Sequence, residues 1–362
     1  MMAAKSSKFD PRLESLRGLA ALAVVVAHSM GVLKVDGMAA HWKLPLTEQS
    51  PASFKLLTLS AIFNPGGAVV LFFVLSGFVL SPSWTAQAPV TYFTRRLTRL
   101  LPPMWASIFV SAAILYLFPP IPSTHLAEWG THAFLNPSLR SLASNLILKQ
   151  CGINGVTWTM YVEIIGSAFI PIAIYARGKI AVVLLILTSA LAIFAHQSHT
   201  LSYLVCFQFG VLLARREPAI HTSWAWLAII IFIFDRFCVQ TGGSSTLLNC
   251  LASYILIAAI RRGAWSDLLN SKALRFVGKV SFSLYLFHPI ILFIISRNAN
   301  KFSETGILPH LLIMAITIPA SLLLAGFAYH AFEKPSINFG KKIAVWINLR
   351  KNNSLNCDSL PL

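Results

Sequence analysis

The sequence predicts an all-α, polytopic integral membrane protein, and three observations lead to that class. Of the 362 residues, 56% are apolar and only 11% are charged, which is less than half of the roughly 25% charge found in soluble domains. The mean hydropathy is +0.69. Apolar stretches recur along the chain with short basic loops between them. So few charges cannot cover a water-facing surface, and we therefore expect a lipid bilayer around the protein.

About ten of these apolar stretches are predicted to be transmembrane helices. A crossing helix needs about 20 apolar residues, and several stretches are shorter, so that 180–214 can also form one broken span. The predicted spans cover residues 14–33, 61–82, 101–118, 158–176, 180–196, 201–214, 222–239, 246–260, 280–297 and 307–332.

The basic residues predict the orientation of the chain and argue against a nucleic-acid partner. The formal net charge is +17, but the basic residues separate apolar runs and do not form one stripe. If the N-terminus lies in the cytoplasm, most of the 29 Lys and Arg residues fall in cytoplasmic loops, as the positive-inside rule requires. Both termini are then cytoplasmic, and the longest outside loops cover 34–60 and 119–157.

The chain is predicted to form one membrane domain with a short tail. Residues 1–340 are assigned to the domain and residues 341–362 to a cytoplasmic tail. The first span follows a basic stretch, as a signal peptide would, but Arg17 and His28 within it and the nine later spans favour a retained helix. We therefore expect a multi-pass protein of the cell membrane, which is the inner membrane if the source is bacterial.

Two pairs of side chains are expected to be structural. Cys238 and Cys250 either face each other outside the membrane or remain separate thiols. The five cysteines have no metal-ligand spacing, so no metal is expected. Asp235 and Arg236 are expected to pair with each other.

Arg17 and His28 are the most informative ionisable residues, because such groups are expensive at membrane depth. They are eleven residues apart, which in a helix is about 1100° and places both on one face, separated by about 16 Å. A cation at the mouth and an imidazole at depth suit a ligand with an anionic head and a long reactive arm. Arg17 would bind phosphate and His28 would act as a general base. Alternatively, Arg17 snorkels and His28 bonds a neighbouring helix.

A second group of polar residues lies around the second and third spans. Ser76 follows the small residues Gly66 and Gly67 in an apolar stretch, where it either packs or hydrogen-bonds within a cavity. Arg96 and Arg99 are three residues apart, so a helix places both on one face. Two guanidiniums there suit an anion at the cytoplasmic mouth, although anchoring at the membrane surface uses the same residues.

A third group lies in the later spans. Glu163 falls near the start of the fourth span, where the helix macrodipole favours it and where it can also orient a base or bind an acceptor hydroxyl. Ser281 and Tyr285 share a helical face, with His288 nearby; this face either binds a polar ligand or holds helices together. Glu333 ends the last span, where snorkelling at the interface is the alternative.

These motifs together resemble the membrane-bound acyltransferase-3 family. The similarity covers about residues 8 to 340 and follows the family's order, beginning with its Arg-(ten residues)-His signature at Arg17 and His28. Glu14 and Phe282 depart from it, since Asp and Tyr are commoner there. The matching positions are Leu16–Ala21 with His28, Phe72–Phe78, Phe93 with Arg96, Arg99 and Pro102, Trp158 with Thr159 and Glu163, Val280–Pro289, and Glu333 with Pro335.

The resemblance implies a ten-helix enzyme that takes an acyl group, usually acetyl from acetyl-CoA, on the cytoplasmic side. The acceptor is a hydroxyl of a cell-surface or lipid-linked glycan, or sometimes of a small molecule. His28 acts either as base or as transient acyl carrier, with Arg17 and Glu163 as the other catalytic residues. The predicted donor-binding residues are Arg17, Ser76, Arg95, Arg96 and Arg99. The predicted acceptor-binding residues are Trp158, Ser281, Tyr285, His288 and Glu333.

Some family members carry a fused SGNH-type hydrolase domain, and no such domain is expected after residue 340. Any later transfer outside the membrane would then need a separate extracytoplasmic transferase. A transporter of an anionic or glycan-lipid substrate is the competing class, but the inverted repeats that it predicts are not found. A scaffolding protein has no need for Arg17 and His28 on one helix face.

Consumption of acetyl-CoA separates the enzyme from the transporter. Membranes that contain the chain should release free CoA from labelled acetyl-CoA and transfer the label to an acceptor, because only an acyltransferase cleaves the thioester. The measurement is labelled ester formed per unit of membrane protein. Uptake of intact acetyl-CoA or glycan lipid without thioester cleavage would favour the transporter.

Overall fold

A computed structural model of the chain confirms the all-α fold. It describes residues 10–34, 50–121, 123–127, 137–195, 199–239, 243–302 and 306–357. Within these ranges the ordered elements are helices, and the β contact that occurs is an isolated bridge between Leu33 and Leu126. Seven helical segments of the described chain are long and apolar enough to cross a membrane. This agrees with a polytopic membrane protein.

The α-helices are labelled here in chain order. Those of the first half are α1 (Pro11–Met30), α2 (Pro51–Phe63), α3 (Pro65–Thr85), α4 (Pro89–Leu117), α5 (Leu139–Leu146), α6 (Trp158–Tyr175) and α7 (Lys179–Phe194). Those of the second half are α8 (His199–Ser202), α9 (Leu204–Arg215), α10 (Trp224–Phe234), α11 (Gly243–Arg261), α12 (Ser266–Leu269), α13 (Lys272–Ser296), α14 (Leu308–Ala328) and α15 (Lys334–Cys357). Short 3₁₀ turns lie at Gly155–Thr157 and Ala299–Lys301, and π-helical turns lie at Asp235–Val239 and Tyr329–Glu333.

Each predicted span overlaps a helix, but the predicted spans over 180–196, 201–214 and 222–239 contain only shorter helices, chiefly α7, α9 and α10. The second span also differs from its prediction. The helical segment already begins at Pro51, inside the loop predicted to be outside, and it breaks at Asn64 into α2 and α3. Asn64 adopts a φ of +26°, and Pro65 has no N–H with which to continue the helical ladder. The side chain of Asn64 then caps α3 by accepting a hydrogen bond of 2.8 Å from the Gly67 N–H. The other predicted outside loop contains α5.

The start of α1 is fixed by its cap. Asp10 accepts a hydrogen bond of 3.0 Å from the backbone N–H of Arg12, and its carboxylate also binds the guanidiniums of Arg12 and Arg261. Burial acts to raise the pKa of Asp10, but these hydrogen bonds outweigh it and the pKa is lowered. The charged cap therefore joins α1 to the end of α11.

One close helix crossing that concerns the site is between α1 and α13. A Cβ on Gly18 would lie 2.6 Å from the backbone nitrogen of Gly278, and a Cβ on Gly278 would lie 2.5 Å from the carbonyl oxygen of Glu14. Only glycine lets the two backbones approach this closely, as in other membrane helix pairs. Beyond the crossing, Val25 of α1 packs with Leu284 of α13 in one buried cluster. The polar face of α1 is therefore held directly against that of α13.

A second close crossing joins α3 to α9. A Cβ on Gly77 would lie 2.2 Å from the carbonyl oxygen of Phe207, and a Cβ on Gly210 would lie 2.2 Å from that of Val74. The ring of Phe207 is fully buried and stacks on Phe73 at 5.4 Å between centroids. This packing holds α3, which carries Ser76, in a fixed rotation.

One of the residue pairs in the sequence is arranged differently from its prediction. Asp235 accepts hydrogen bonds from Asn249 at 2.7 Å and from Asn64 at 3.3 Å, whereas Arg236 donates to Ser60 at 3.2 Å. The expected Asp235–Arg236 pair was therefore wrong, because neighbouring helices offer each residue another partner. Two other buried residues, Cys250 and Cys206, are free thiols whose sulfurs lie 3.2 Å apart. The side chain of Cys238 lies outside the described residues.

The last helix is continuous with the membrane domain. The boundary predicted at residue 340 falls inside α15, which follows the π-helical turn at Tyr329–Glu333 without a break. Ser336 of α15 donates a hydrogen bond to the carbonyl of Thr98. The helix α15 therefore packs on α4 and closes one side of the bundle.

The crossing of α1 and α13 predicts a sharp difference between two glycine substitutions. Gly278→Ala should lower the free energy of unfolding by at least about 1–3 kcal/mol, the usual cost of overpacking, because its methyl group meets backbone atoms of α1. Gly326→Ala is the control, since the nearest atom to its Cβ is a ring carbon of Phe276 at 3.9 Å. Thermal unfolding in detergent measures both, and equal Tm values for the two variants would contradict the close approach.

Candidate active site

Two adjoining cavities open between α1, α3, α4 and α13. The outer cavity encloses about 1200 Å³ and the inner cavity about 780 Å³. Their shared lining residues are Arg17, Leu75, Val79, Arg99 and Ser281. The two cavities therefore adjoin at these five side chains.

The outer cavity is charged and predominantly basic. Its walls come from both ends of the chain, since α1 meets α13 and α15 there. The charged lining residues are Asp10, Glu14, Arg17, Arg99, Arg261, Lys279, Glu333 and Lys341. A polyanion is the kind of ligand that such a mouth favours.

The inner cavity has apolar walls with a few polar groups. Aromatic and aliphatic side chains from α3 and α6 form most of its surface, including Phe72, Phe73 and Met160. The polar groups that reach it are Arg17, Ser76, Arg96, Arg99, Thr159, Glu163, Ser281 and Tyr285. This mixture suits a mostly apolar arm whose few polar atoms need partners.

Arg17 and Arg99 stand at the junction, where the carboxylates of Glu333 and Glu163 attract both guanidiniums without binding either one directly. Within the part of the chain that the structure describes, neither guanidinium forms a hydrogen bond or an ion pair. Both side chains are half-buried. A half-buried cation that binds no counter-ion directly is costly unless a ligand supplies one, so the pair is a candidate anion site between the two cavities.

Arg96 has a different role from Arg99, although the sequence grouped them together. Arg96 forms an ion pair with Glu163 of α6 and donates to Ser167 at 3.0 Å. Glu163 is 7% exposed and also accepts a hydrogen bond of 2.8 Å from Ser76 of α3. The charge of Arg96 is therefore already balanced within the protein, and the Arg96–Glu163 pair joins α3, α4 and α6.

His28 lies against His288 at the far end of the same faces of α1 and α13. Nδ1 of His28 and Nε2 of His288 are 2.9 Å apart, and the rings stack with their centroids 5.2 Å apart. His288 is fully buried. Neither imidazole lines the two cavities described above, but Tyr285 lines the inner one and its ring lies 6.1 Å from that of His288. The histidine pair is thus directly behind the wall of the inner cavity.

The remaining predicted residues lie at three other places. Glu333 lines the outer cavity and accepts a hydrogen bond of 2.6 Å from Ser283. Trp158 lies in neither cavity and packs near the ring of Tyr203, 5.6 Å away. Arg95 is exposed and bonds Gln87 at 3.1 Å.

Several lining residues were not found from the sequence. Lys279, Arg261 and Lys341 come from three different helices, and only the fold brings them to one mouth. Lys279 directly follows Gly278, the glycine at the crossing with α1. This neighbouring glycine is the one local feature of the sequence that could have indicated Lys279. Among the described residues there is no cluster of His, Cys, Asp or Glu side chains that could hold a metal ion.

Comparison with known proteins identifies the class. A family profile described as "Acyltransferase domain", that of the acyltransferase-3 family, matches residues 10–326. The chain therefore belongs to this family and is an acyltransferase of the membrane-bound kind. It is also similar to a protein named O-acetyl transferase from Shigella phage Sf6, with 22% identity over 299 residues, which is 74% of this chain and 84% of the relative. No solved structure matches the chain.

The Arg96–Glu163 pair predicts a strong coupling between the two residues. Arg96→Met or Glu163→Met alone should lower the free energy of unfolding by about 3–5 kcal/mol, because each leaves a charge unpaired in a poorly hydrated place. The double variant should lose clearly less free energy of unfolding than the two single variants lose together. Denaturation in detergent measures this cycle.

Glu217→Met provides the control for that cycle. Glu217 pairs with Arg261, but the side chains of that pair are 38% and 27% exposed, so its loss should cost less than about 1 kcal/mol. Additive losses at Arg96 and Glu163 would show that the buried pair does not form.

Proposed function

We propose that this chain is an O-acyltransferase that takes an acetyl group from acetyl-CoA at the outer cavity, on the cytoplasmic side. It transfers the group to a hydroxyl of a cell-surface or lipid-linked glycan. The family membership and the relative named O-acetyl transferase support this activity. The donor, the acceptor and the side of the membrane are the parts that belong to the proposal.

The observation that carries the proposal is that Arg17 and Arg99 stand at the junction of the two cavities with no direct hydrogen bond or ion pair among the described residues. CoA has phosphates at one end and a long, mostly apolar pantetheine arm that ends in the thioester. Phosphates bound by the two guanidiniums would place the arm in the apolar inner cavity. His28 lies on the same helix as Arg17, about 16 Å further along it, which is a distance that the arm can span.

The chemistry then needs one base near the thioester. The acceptor oxygen attacks the acetyl carbonyl carbon, a C–O bond forms and the C–S bond breaks, so that CoA leaves as a thiolate. His28 removes the hydroxyl proton during the attack and returns it to the thiolate, which leaves as free CoA. The imidazole is unchanged at the end of the cycle.

The acceptor end of the site is assigned to the polar residues of the inner cavity. Ser281 and Tyr285 of α13 line the inner cavity together with Glu163 of α6. These groups can hydrogen-bond the hydroxyls of a sugar, as the residues of an oriented acceptor site must. The predicted contact with Trp158 is not part of this proposal, because that side chain lines neither cavity.

Truncated donors test the proposal. Arg99→Gln should raise KM for acetyl-CoA about 10- to 100-fold, which corresponds to loss of a charge-assisted hydrogen bond of about 1.5–3 kcal/mol. KM for acetyl-pantetheine, which has no phosphate, should stay within about twofold of the wild-type value. His28→Ala should abolish transfer from both donors while the protein still accumulates in the membrane. Initial rates of CoA or pantetheine release measure both effects.

Arg275→Gln is the matched control, since Arg275 is an exposed arginine of α13 outside both cavities. It should leave both KM values unchanged. Full activity of His28→Ala would overturn the assignment of the base. An equal rise of KM for both donors in Arg99→Gln would overturn the assignment of the phosphate site.

A further inference from the structure

The starting observation is a proline directly after His288. Pro289 lies inside α13, and a proline has no N–H to donate to the carbonyl four residues earlier. The carbonyl so released is that of Tyr285. In a buried helix such a carbonyl needs another donor. Nδ1 of His288 lies 2.9 Å from this oxygen and 3.2 Å from the carbonyl oxygen of Leu284.

This contact determines the tautomer of His288. A carbonyl oxygen only accepts hydrogen bonds, so the proton of the contact is on Nδ1 of His288. A neutral imidazole with a proton on Nδ1 has a lone pair on Nε2. His288 is fully buried and has no ion pair within the described part of the chain, which favours the neutral ring.

The tautomer of His28 follows from that of His288. Nε2 of His288 is an acceptor, and it lies 2.9 Å from Nδ1 of His28. Nδ1 of His28 must then donate, so its proton is on Nδ1 and its basic lone pair is on Nε2. The direction of the hydrogen bonds runs from His28 to His288 and from His288 to the carbonyl of Tyr285.

We propose that His288 is a positioning residue that fixes His28 as the Nδ1–H tautomer with Nε2 as the proton acceptor, and that Pro289 fixes His288. This inference rests on the proposed function of His28 as base. It assigns to His288 a contact with the base in place of the acceptor contact expected from the sequence. In other acyl-transferring enzymes a buried group that holds the catalytic histidine in one tautomer contributes strongly to turnover.

The first experiment compares two substitutions of His288. In His288→Gln the amide oxygen reaches about the position of Nε2 and still accepts from His28, whereas His288→Leu fills a similar space without an acceptor. We expect kcat to fall at least 100-fold in His288→Leu and to stay within about tenfold of wild type in His288→Gln. KM for acetyl-CoA should stay within about threefold in both, because Arg17 and Arg99 are unchanged.

Three outcomes of that comparison would overturn the proposal. The first is a kcat of His288→Leu within threefold of wild type. The second is an equal loss of kcat in His288→Leu and His288→Gln when both variants accumulate in the membrane. The third is a change in KM for the acceptor with an unchanged kcat. The last outcome would instead favour the acceptor-binding role.

The second experiment acts on the proline and covers the case in which His288→Leu does not fold. Pro289→Ala restores an N–H to the carbonyl of Tyr285 and so competes with His288 for it. We expect a three- to tenfold loss of kcat with unchanged KM for acetyl-CoA. Pro319→Ala, which removes an exposed proline inside α14 that lines neither cavity, should leave kcat unchanged. Equal kcat values for Pro289→Ala and wild type would overturn the role given to Pro289.

The tautomer itself has a readout that does not depend on activity. In ¹⁵N-histidine-labelled protein, the signals that disappear in His28→Ala identify His28, and their shifts distinguish a protonated Nδ1 from a protonated Nε2. We expect Nδ1–H in wild type and in His288→Gln. A protonated Nε2 in wild type would overturn the inference. If wild type has the expected tautomer but does not cleave acetyl-CoA, the proposed function fails and the tautomer assignment stands.

Discussion

The contact of Gly18 with Gly278 is the constraint on which the rest of the site depends. It brings α1 and α13 to backbone contact at one point, and the two helices then run side by side. Arg17 is next to this point, and the histidine pair lies beyond it, so one crossing sets the positions of Arg17 and His28 together. A larger residue at either glycine would move both, since a rigid helix transmits a displacement at one point along its length.

Charge compensation divides the arginines of the site into two kinds. Arg96 is balanced by Glu163 and holds three helices together, whereas Arg17 and Arg99 face a space that both cavities share. The net charge of +17 therefore has several components. Part of it is predicted from the sequence to orient the chain in the membrane, part is paired inside the bundle, and a small part lines the two cavities.

The sequence was sufficient for the fold class and for the common face of Arg17 and His28, because helical periodicity and hydropathy are local properties. It could not separate Arg96 from Arg99, since their difference depends on Glu163, which is 67 residues from Arg96. Adjacency in the sequence suggested that Asp235 pairs with Arg236. In the fold, Asp235 instead binds Asn249 and Arg236 binds Ser60. The sequence placed His288 near the polar face of Ser281 and Tyr285. Its contact with His28 joins residues 260 positions apart, and local spacing cannot predict a contact of that range.

That separation also determines when the site is assembled during synthesis. His28 arrives with the first helix, but His288 arrives only with α13, and the lining residues of α15 reach the mouth last. Contacts of such long range form late, after the intervening chain has been ordered. Through most of membrane insertion, the growing chain therefore carries the imidazole of His28 without its contact to His288. The site is complete only when the final helices are in place.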